Sequence, residues 1–206
     1  EYHASTQMTI HSESGVKMAK NLGFSRAVLS RELPEHTIKE LTALGIETEV
    51  FVHGALCMSV SGQCYMSALI GSRSANRGLC AQACRLPAQG DKITKGQERY
   101  ALSLKDMSYV DKLQRLEKDG VSSLKIEGRM KRPEYVAAAV NCCKNSLENK
   151  PYDLKALEAV FSRGGFTDGY YNGRLGREMF GTRQKEDVSA TAKILPELHE
   201  LYRRCE

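Results

Sequence analysis

Five short runs rich in β-branched and apolar residues alternate with segments of helical period, and this alternation restricts the fold more than any other feature of the sequence. The runs are "HASTQMTI" (3–10), "RAVLS" (26–30), "TEVFVH" (48–53), "RYALSL" (99–104) and "SSLKIE" (122–127). Between them, "SESGVKMAKNLG" (12–23), "LPEHTIKELTALG" (33–45) and "SYVDKLQRLEKDG" (108–120) place apolar residues three or four apart and stop at a glycine. That is the pattern of an amphipathic helix with a C-terminal breaker. A further helix is predicted over 132–149, where Pro133 and Glu134 suit a first turn. Strand–helix alternation predicts an α/β fold with a parallel sheet and right-handed crossovers. The compact repeat is that of a (β/α) barrel, although five strands fall short of the eight that close one. Because Glu1 already lies in a strand-like run, the expected architecture is the later part of a TIM-like barrel, a fragment lacking the first strands. An open doubly wound sheet is the alternative. Residues 1–150 are expected to form the partial barrel with a Cys-rich insertion at 54–98, and 151–206 a C-terminal helix and Gly-rich extension.

The insertion is too long for an ordinary connection, and loops of that length are usually functional. In a parallel barrel it opens at the C-terminal face, where catalysis is carried out. The five runs end in "STQ" (5–7), "SRE" (30–32), "VHG" (52–54), "SLKD" (103–106) and "KIEGR" (125–129), delivering polar or ionisable groups to one rim. Wet strand ends are common for any single strand; five together favour an active-site rim.

Seven cysteines, an odd number, argue against a disulfide framework and for a reducing cytoplasm. Four of them, Cys57, Cys64, Cys80 and Cys84, lie in the insertion among Ser, Gly, Gln, Asn and Arg, poor material for an apolar core. Soft thiolates select zinc, copper(I) or iron–sulfur clusters. Structural zinc sites pair cysteines at short spacing, and here only the last pair is close. A four-iron four-sulfur cluster accepts ligands from scattered loops, which places it slightly ahead of zinc; burial as small hydrophobes is the blander alternative. Cys142 and Cys143 are adjacent on a helix and point apart, so core packing is expected for them. His53 and Cys57 also allow a cysteine-protease reading, base and nucleophile four apart, with nothing in the sequence to fix the geometry.

The net charge of +5 permits an anionic partner such as RNA without demanding one. Positive charge concentrates in "RSANRG" (73–78) and "KIEGRMKR" (125–132), with Arg73, Arg77, Arg85, Lys125, Arg129, Lys131 and Arg132. Arginine forks suit carboxylate or phosphate. Glu127, beside Gly128 and Arg129, is either half of an ion pair or an acid/base group. The strand-end set Arg31, Glu32, His53, Lys125, Glu127 and Arg129 is therefore a candidate pocket for an anionic carboxylate, with Glu127 and His53 as the catalytic candidates. "FSRGGFTDGYYNGRLG" (161–176) reads as turns between short strands more readily than as a base-stacking surface. The longest apolar runs, such as "VAAAV", are far shorter than the roughly 20 residues of a membrane helix.

"EVFVHGALCMSVSGQCYMS" closely resembles the signature of peptidase family U32, the collagenase-like proteases. "ASTQMTI", "VLSRE", "RSANRGLCAQACR", "LSLKDM", "LKIEGRMKRPEYV" and "FSRGGFTDGYYNG" resemble the same family, so the likeness runs along nearly the whole chain. It implies a (β/α) barrel whose first strands precede residue 1. Members of the family are called collagenases or peptidases with no agreed catalytic group. Others serve in RNA hydroxylation, making 5-hydroxycytidine in rRNA or 5-hydroxyuridine in tRNA with prephenate implicated. Still others hydroxylate ubiquinone without oxygen and carry a four-iron four-sulfur cluster on four cysteines. The resemblance assigns Cys57, Cys64, Cys80 and Cys84 as cluster ligands. In one ubiquinone-branch member the fourth ligand lies far downstream, whereas this chain has no cysteine between 84 and 142. The expectation is an iron–sulfur enzyme that hydroxylates a pyrimidine in tRNA or rRNA, with a small anionic cosubstrate. The alternatives are a peptidase of unfolded chains and a structural zinc module that docks a partner.

Overall fold

The computed structural model describes residues 1–88, 100–128, 131–182 and 185–203. Arg129 and Cys205 lie outside the described residues. In chain order the main elements are β1 (His3–Ala4), α1 (Glu13–Asn21), β2 (Arg26–Val28), α2 (Glu35–Thr42), β3 (Glu47–Ala55), α3 (Met66–Gly71) and β4 (Asp106–Ser108), followed by α4 (Leu113–Lys118), β5 (Ser123–Ile126), α5 (Pro133–Leu147), α6 (Leu154–Val160), β6 (Phe166–Thr167) and α7 (Lys185–Arg203). The fold is a mixed α/β arrangement around a mostly parallel sheet.

Strand β3 is the hub of that sheet. It runs parallel to β2 and to β5, and β1 adds in parallel beyond β2. Its residues from Thr48 to Gly54 are all buried, as expected for a strand covered on both faces. The expected all-parallel sheet is broken at one place: β4 pairs antiparallel with the end of β3, His53 opposite Ser108 and Ala55 opposite Asp106, and β6 then adds parallel to β4. The fourth strand was predicted at 99–104. Of that run, Leu104 makes a lone bridge to Phe180, and the strand forms at Asp106–Ser108 instead. The first predicted strand is also shorter than its alternation suggested. After Ala4 the chain turns through a 3₁₀ segment, Thr6–Met8, closed by Thr9 in the left-handed region (φ 52°).

The helices form where period and caps agree. The Ser12 hydroxyl accepts the Gly15 amide at the head of α1, Asp153 accepts the Ala156 amide at the head of α6, and Pro133 opens α5. Their apolar faces supply the core: Val16 and Ala19 from α1, Ile38 and Leu41 from α2, Leu113 and Leu116 from α4, and Ala139 and Leu157 from α5 and α6, packed with Val50 and Val52 of β3. Helices α5, α6 and α7 pack on one another. Among the described residues no helix is long and apolar enough to cross a membrane.

Candidate functional site

The C-terminal ends of β2, β3 and β5 open on one rim, and the antiparallel run of β4 brings its first residue, Asp106, to that same rim. From the N-terminal ends of the strands toward the rim the sheet carries a ladder of paired charges. Arg26 binds Glu47 at 2.7 Å, and the nearly buried Glu49 accepts Lys125 at 2.6 Å and Ser123 at 2.9 Å. Those partners hold the Glu49 carboxyl below its usual range although burial opposes them. One step higher, Phe51 lies under two cations, with the Arg31 guanidinium 3.9 Å and the Lys125 ammonium 5.2 Å from the ring centre. Arg31 also donates to Glu127 at 2.7 Å. Of the predicted strand-end set, Arg31, Lys125 and Glu127 thus share one network, with Glu127 as half of an ion pair.

Glycine at 54 makes this junction possible. A bulge between Phe51 and His53 shifts the register with β5, and Gly54 follows with φ +140°. A Cβ there would stand 2.6 Å from the Glu127 Cβ. The backbone of β5 closes on β3 through Glu127 N–H to His53 C=O at 2.9 Å, and the Tyr135 hydroxyl of α5 donates to the Glu127 carbonyl at 2.9 Å.

His53 is fully buried, stacked on Tyr135 and edge-on to Phe166, and among the described residues neither ring nitrogen has a hydrogen-bond partner. Burial pushes its pKa down to about 4. It makes no hydrogen bond to Cys57, so the two are not a base–nucleophile dyad here. Glu32 faces the insertion: one carboxylate oxygen accepts the Ser61 amide at 2.9 Å, the other is buried with no partner among the described residues, and the Ser61 hydroxyl meets Ser30 at 2.8 Å. Arg73 and Arg77 are exposed and form no ion pair among the described residues.

The four cysteines of the insertion are all free thiols; Cys57, Cys64 and Cys84 are half-buried and Cys80 is exposed. Cys57 sits within electrostatic reach of Cys84, Cys64 and Arg31, and burial is the main cause that raises its pKa. Two of the sulfurs share one local geometry, each accepting the backbone amide two residues on, and a third, Cys57, has an amide in the corresponding place that favours its thiolate. Met66 N–H donates to Cys64 Sγ and Gln82 N–H to Cys80 Sγ, both at 3.3 Å, and the Ser59 amide supports Cys57. Amides aimed at sulfur stabilise thiolate and tune whatever a thiolate holds. Among the described residues, no three Cys, His, Asp or Glu side chains converge as a closed metal site. Cys142 and Cys143 are core thiols, as their helical position predicted, with pKa values pushed up by burial to about 11 and about 12.

A second polar group at the rim went unassigned in the sequence. Asp106 is fully buried, with the Arg163 guanidinium 3.4 Å from Oδ1 and, among the described residues, no side-chain hydrogen bond to either oxygen. Burial raises its pKa to about 6 against the pull of Arg163, Arg85 and Lys131. Lys131 lies 3.5 Å over the Phe161 ring, and burial lowers its pKa to about 8. Arg85 links this group to the cysteines. It donates to Ser103 Oγ (3.0 Å), Leu104 O (2.6 Å) and Leu56 O (2.5 Å), within electrostatic reach of Cys84, Cys57 and Asp106. Asp106 ends the "SLKD" run and Arg163 opens the "RGG" turn; nothing local ties them, because the antiparallel β4 and its partner β6 bring them together.

The model of peptidase family U32 matches residues 1–180. The chain belongs to peptidase family U32. Relatives of this U32 chain carry two kinds of name. A "Collagenase" of Porphyromonas gingivalis is 36% identical over 96% of the chain and 55% of its own length. The "23S rRNA 5-hydroxycytidine C2501 synthase" of Escherichia coli is 44% identical over 66% of the chain and 21% of its own length. The "tRNA hydroxylation protein P1" of Bacillus subtilis is 35% identical over 72% of the chain and 37% of its own length. The U32 chain thus spans about half or less of these curated relatives. No solved structure matches it significantly.

Proposed function

We propose that this protein acts in the hydroxylation of a pyrimidine base of tRNA or rRNA, with an iron–sulfur cluster held by Cys57, Cys64, Cys80 and Cys84. The observation that carries the reading is the run of three amide-supported sulfurs, at Cys57, Cys64 and Cys80, on a rim that also gathers Arg31, Arg85, Lys131 and Arg163. Four soft donors fit an iron–sulfur cluster in type, and zinc shares that preference. A bound cluster would supply one-electron redox chemistry at the rim. The chain's own residues supply charge and proton handling. Arg73 and Arg77, exposed on the insertion, are available to phosphate oxygens, and the half-buried cations of the rim suit a small anionic cosubstrate. Asp106, with its raised pKa, and Glu127, held by Arg31, are the groups at hand to take or give a proton. The names of the Escherichia coli and Bacillus subtilis relatives support RNA as the substrate.

The collagenase-named relatives favour a second reading, a peptidase. Its sequence basis was the His53–Cys57 pair, and a sealed imidazole without hydrogen bonds cannot serve Cys57 as a base in this conformation. A zinc docking module is the third. Anaerobic purification with iron, sulfide and zinc analysis separates them, followed by mass spectrometry of rRNA and tRNA nucleosides from a deletion strain. Iron and sulfide of about four each per chain, together with loss of a hydroxylated pyrimidine restored by the gene, are the expected results. Zinc without sulfide and unchanged RNA would overturn the reading.

A further inference from the structure

The cysteine insertion is held with little packing. Met58, Val60, Tyr65, Leu69, Ile70, Leu79 and Leu86 are all exposed, and Leu56 is its one buried large hydrophobic side chain among the described residues. Without an apolar core of its own, a loop keeps its shape through polar fastenings. Glu32 and Ser30 hold Ser61, Gln63 reaches back to Thr9, and the Ser67 hydroxyl accepts the Ala81 amide. None of these joins the end of the cysteine segment to its beginning. Arg85 does. Its two terminal nitrogens reach the carbonyl of Leu56, next to Cys57, and the Leu104 carbonyl and Ser103 hydroxyl on the way into β4. Ser103 in turn exchanges hydrogen bonds with Gly181, so the guanidinium ties its own segment to two others directly and to a third through Ser103. Leu56 and Leu104 are buried, and without the fork their carbonyls would lose these donors.

Cys84 is also the thiol that lacks the amide support of the other three: the Leu86 N–H, two residues on, goes to the Ala83 carbonyl. Its neighbour Arg85 sets a permanent positive charge close to both Cys84 and Cys57.

We infer that Arg85 is a positioning residue, the clasp that holds Cys57 and Cys84 at one edge of the insertion and offsets their negative charge when they act as thiolates. The clasp stands on hydrogen bonds alone; its consequence for metal retention rests on the thiolate reading above.

Two measurements on the full 206-residue chain test it, comparing wild type with Arg85→Gln and Arg85→Lys. In hydrogen exchange, Arg85→Gln is expected to speed exchange about tenfold or more in peptides spanning 53–58, 80–86 and 103–109, while α1 and α5 keep their protection. Arg85→Lys should fall between, since an ammonium carries its donors on a single nitrogen and cannot span acceptors that Arg85 reaches from two. Cadmium titration of the protein stripped of metal, read by thiolate charge-transfer absorption, should show affinity about tenfold weaker in Arg85→Gln and still reduced in Arg85→Lys. Unchanged exchange at both ends of the insertion in Arg85→Gln overturns the clasp. Full recovery of cadmium affinity and protection in Arg85→Lys also overturns it, leaving charge alone. If Arg85→Gln does not fold, Arg85→Lys carries the comparison. Loosened ends without any cadmium–thiolate absorption, even in wild type, would uphold the clasp and sink the thiolate reading.

Discussion

Gly54 stands where the bulge in β3 meets the end of β5, and its φ of +140° together with the 2.6 Å approach to Glu127 leaves no room for a side chain. Gly54→Ala is expected to lower stability by at least about 2 kcal/mol, read as a shifted urea midpoint, and to part Glu127 from Arg31. Two other rim residues oppose each other in pH. Asp106 rises from 3.8 to about 6 on folding, so between those values the folded chain holds a proton that the unfolded chain has lost, and stability falls as pH rises. His53 drops from 6.5 to about 4, so across nearly the same window the unfolded chain holds the extra proton, and stability rises with pH. Each effect is worth about 3 kcal/mol and they nearly cancel. Asp106→Asn should unmask stability that climbs from pH 4 to 6.5, and His53→Phe stability that declines from pH 4 to 6, both measured by urea unfolding across that range. Parallel profiles in the two variants would refute the pairing. His53 was legible as a strand-end residue, but its burial was not: only the packing of Tyr135 and Phe166, remote in sequence, seals it.

Helix α5 is the element that braces the rim. Its Tyr135 is buried under His53, against Phe161, and its hydroxyl holds the Glu127 carbonyl. Tyr135→Phe keeps the ring and removes that bond, so a loss of about 1 to 2 kcal/mol in thermal or urea melts is expected, with faster exchange at the end of β5. Helices α1 and α2 were readable because helical period and a closing glycine agreed, and α5 because Pro133 and Glu134 suit a first turn. Strand β3 was readable because a continuous apolar run suits a strand buried on both faces, and β2 and β5 because short apolar runs alternate with the helical segments. Strand β4 was not. "RYALSL" has the better strand composition, yet pairing selects "DMS", whose register against His53–Ala55 is a long-range property. The 3₁₀ turn at Thr6–Met8 escaped for a related reason, since alternation is local and the left-handed Thr9 that ends the run is not written in it.

At the scale of the molecule, the cysteines divide into two populations that one experiment can separate. Cys57→Ala, Cys64→Ala, Cys80→Ala and Cys84→Ala are each expected to release most of the bound metal, while Cys142→Ala, in the core beneath α5, retains it; metal analysis of the five variants decides. Spacing alone pointed to the four thiols. The amides behind three of them come from local turns that spacing does not show, and the Asp106–Arg163 group from strand pairing that joins residues far apart in the chain. The antiparallel pairing of β3 with β4 has one more consequence. Ala55 and Asp106 face each other across the sheet, so the whole stretch 56–105 departs and returns at neighbouring points. To the strands it is an overgrown hairpin turn. Its contents could be swapped for another insert, or pared back to a tight bend, without costing any strand its neighbour, so the sheet works as a socket and the thiol-bearing stretch as a replaceable cartridge.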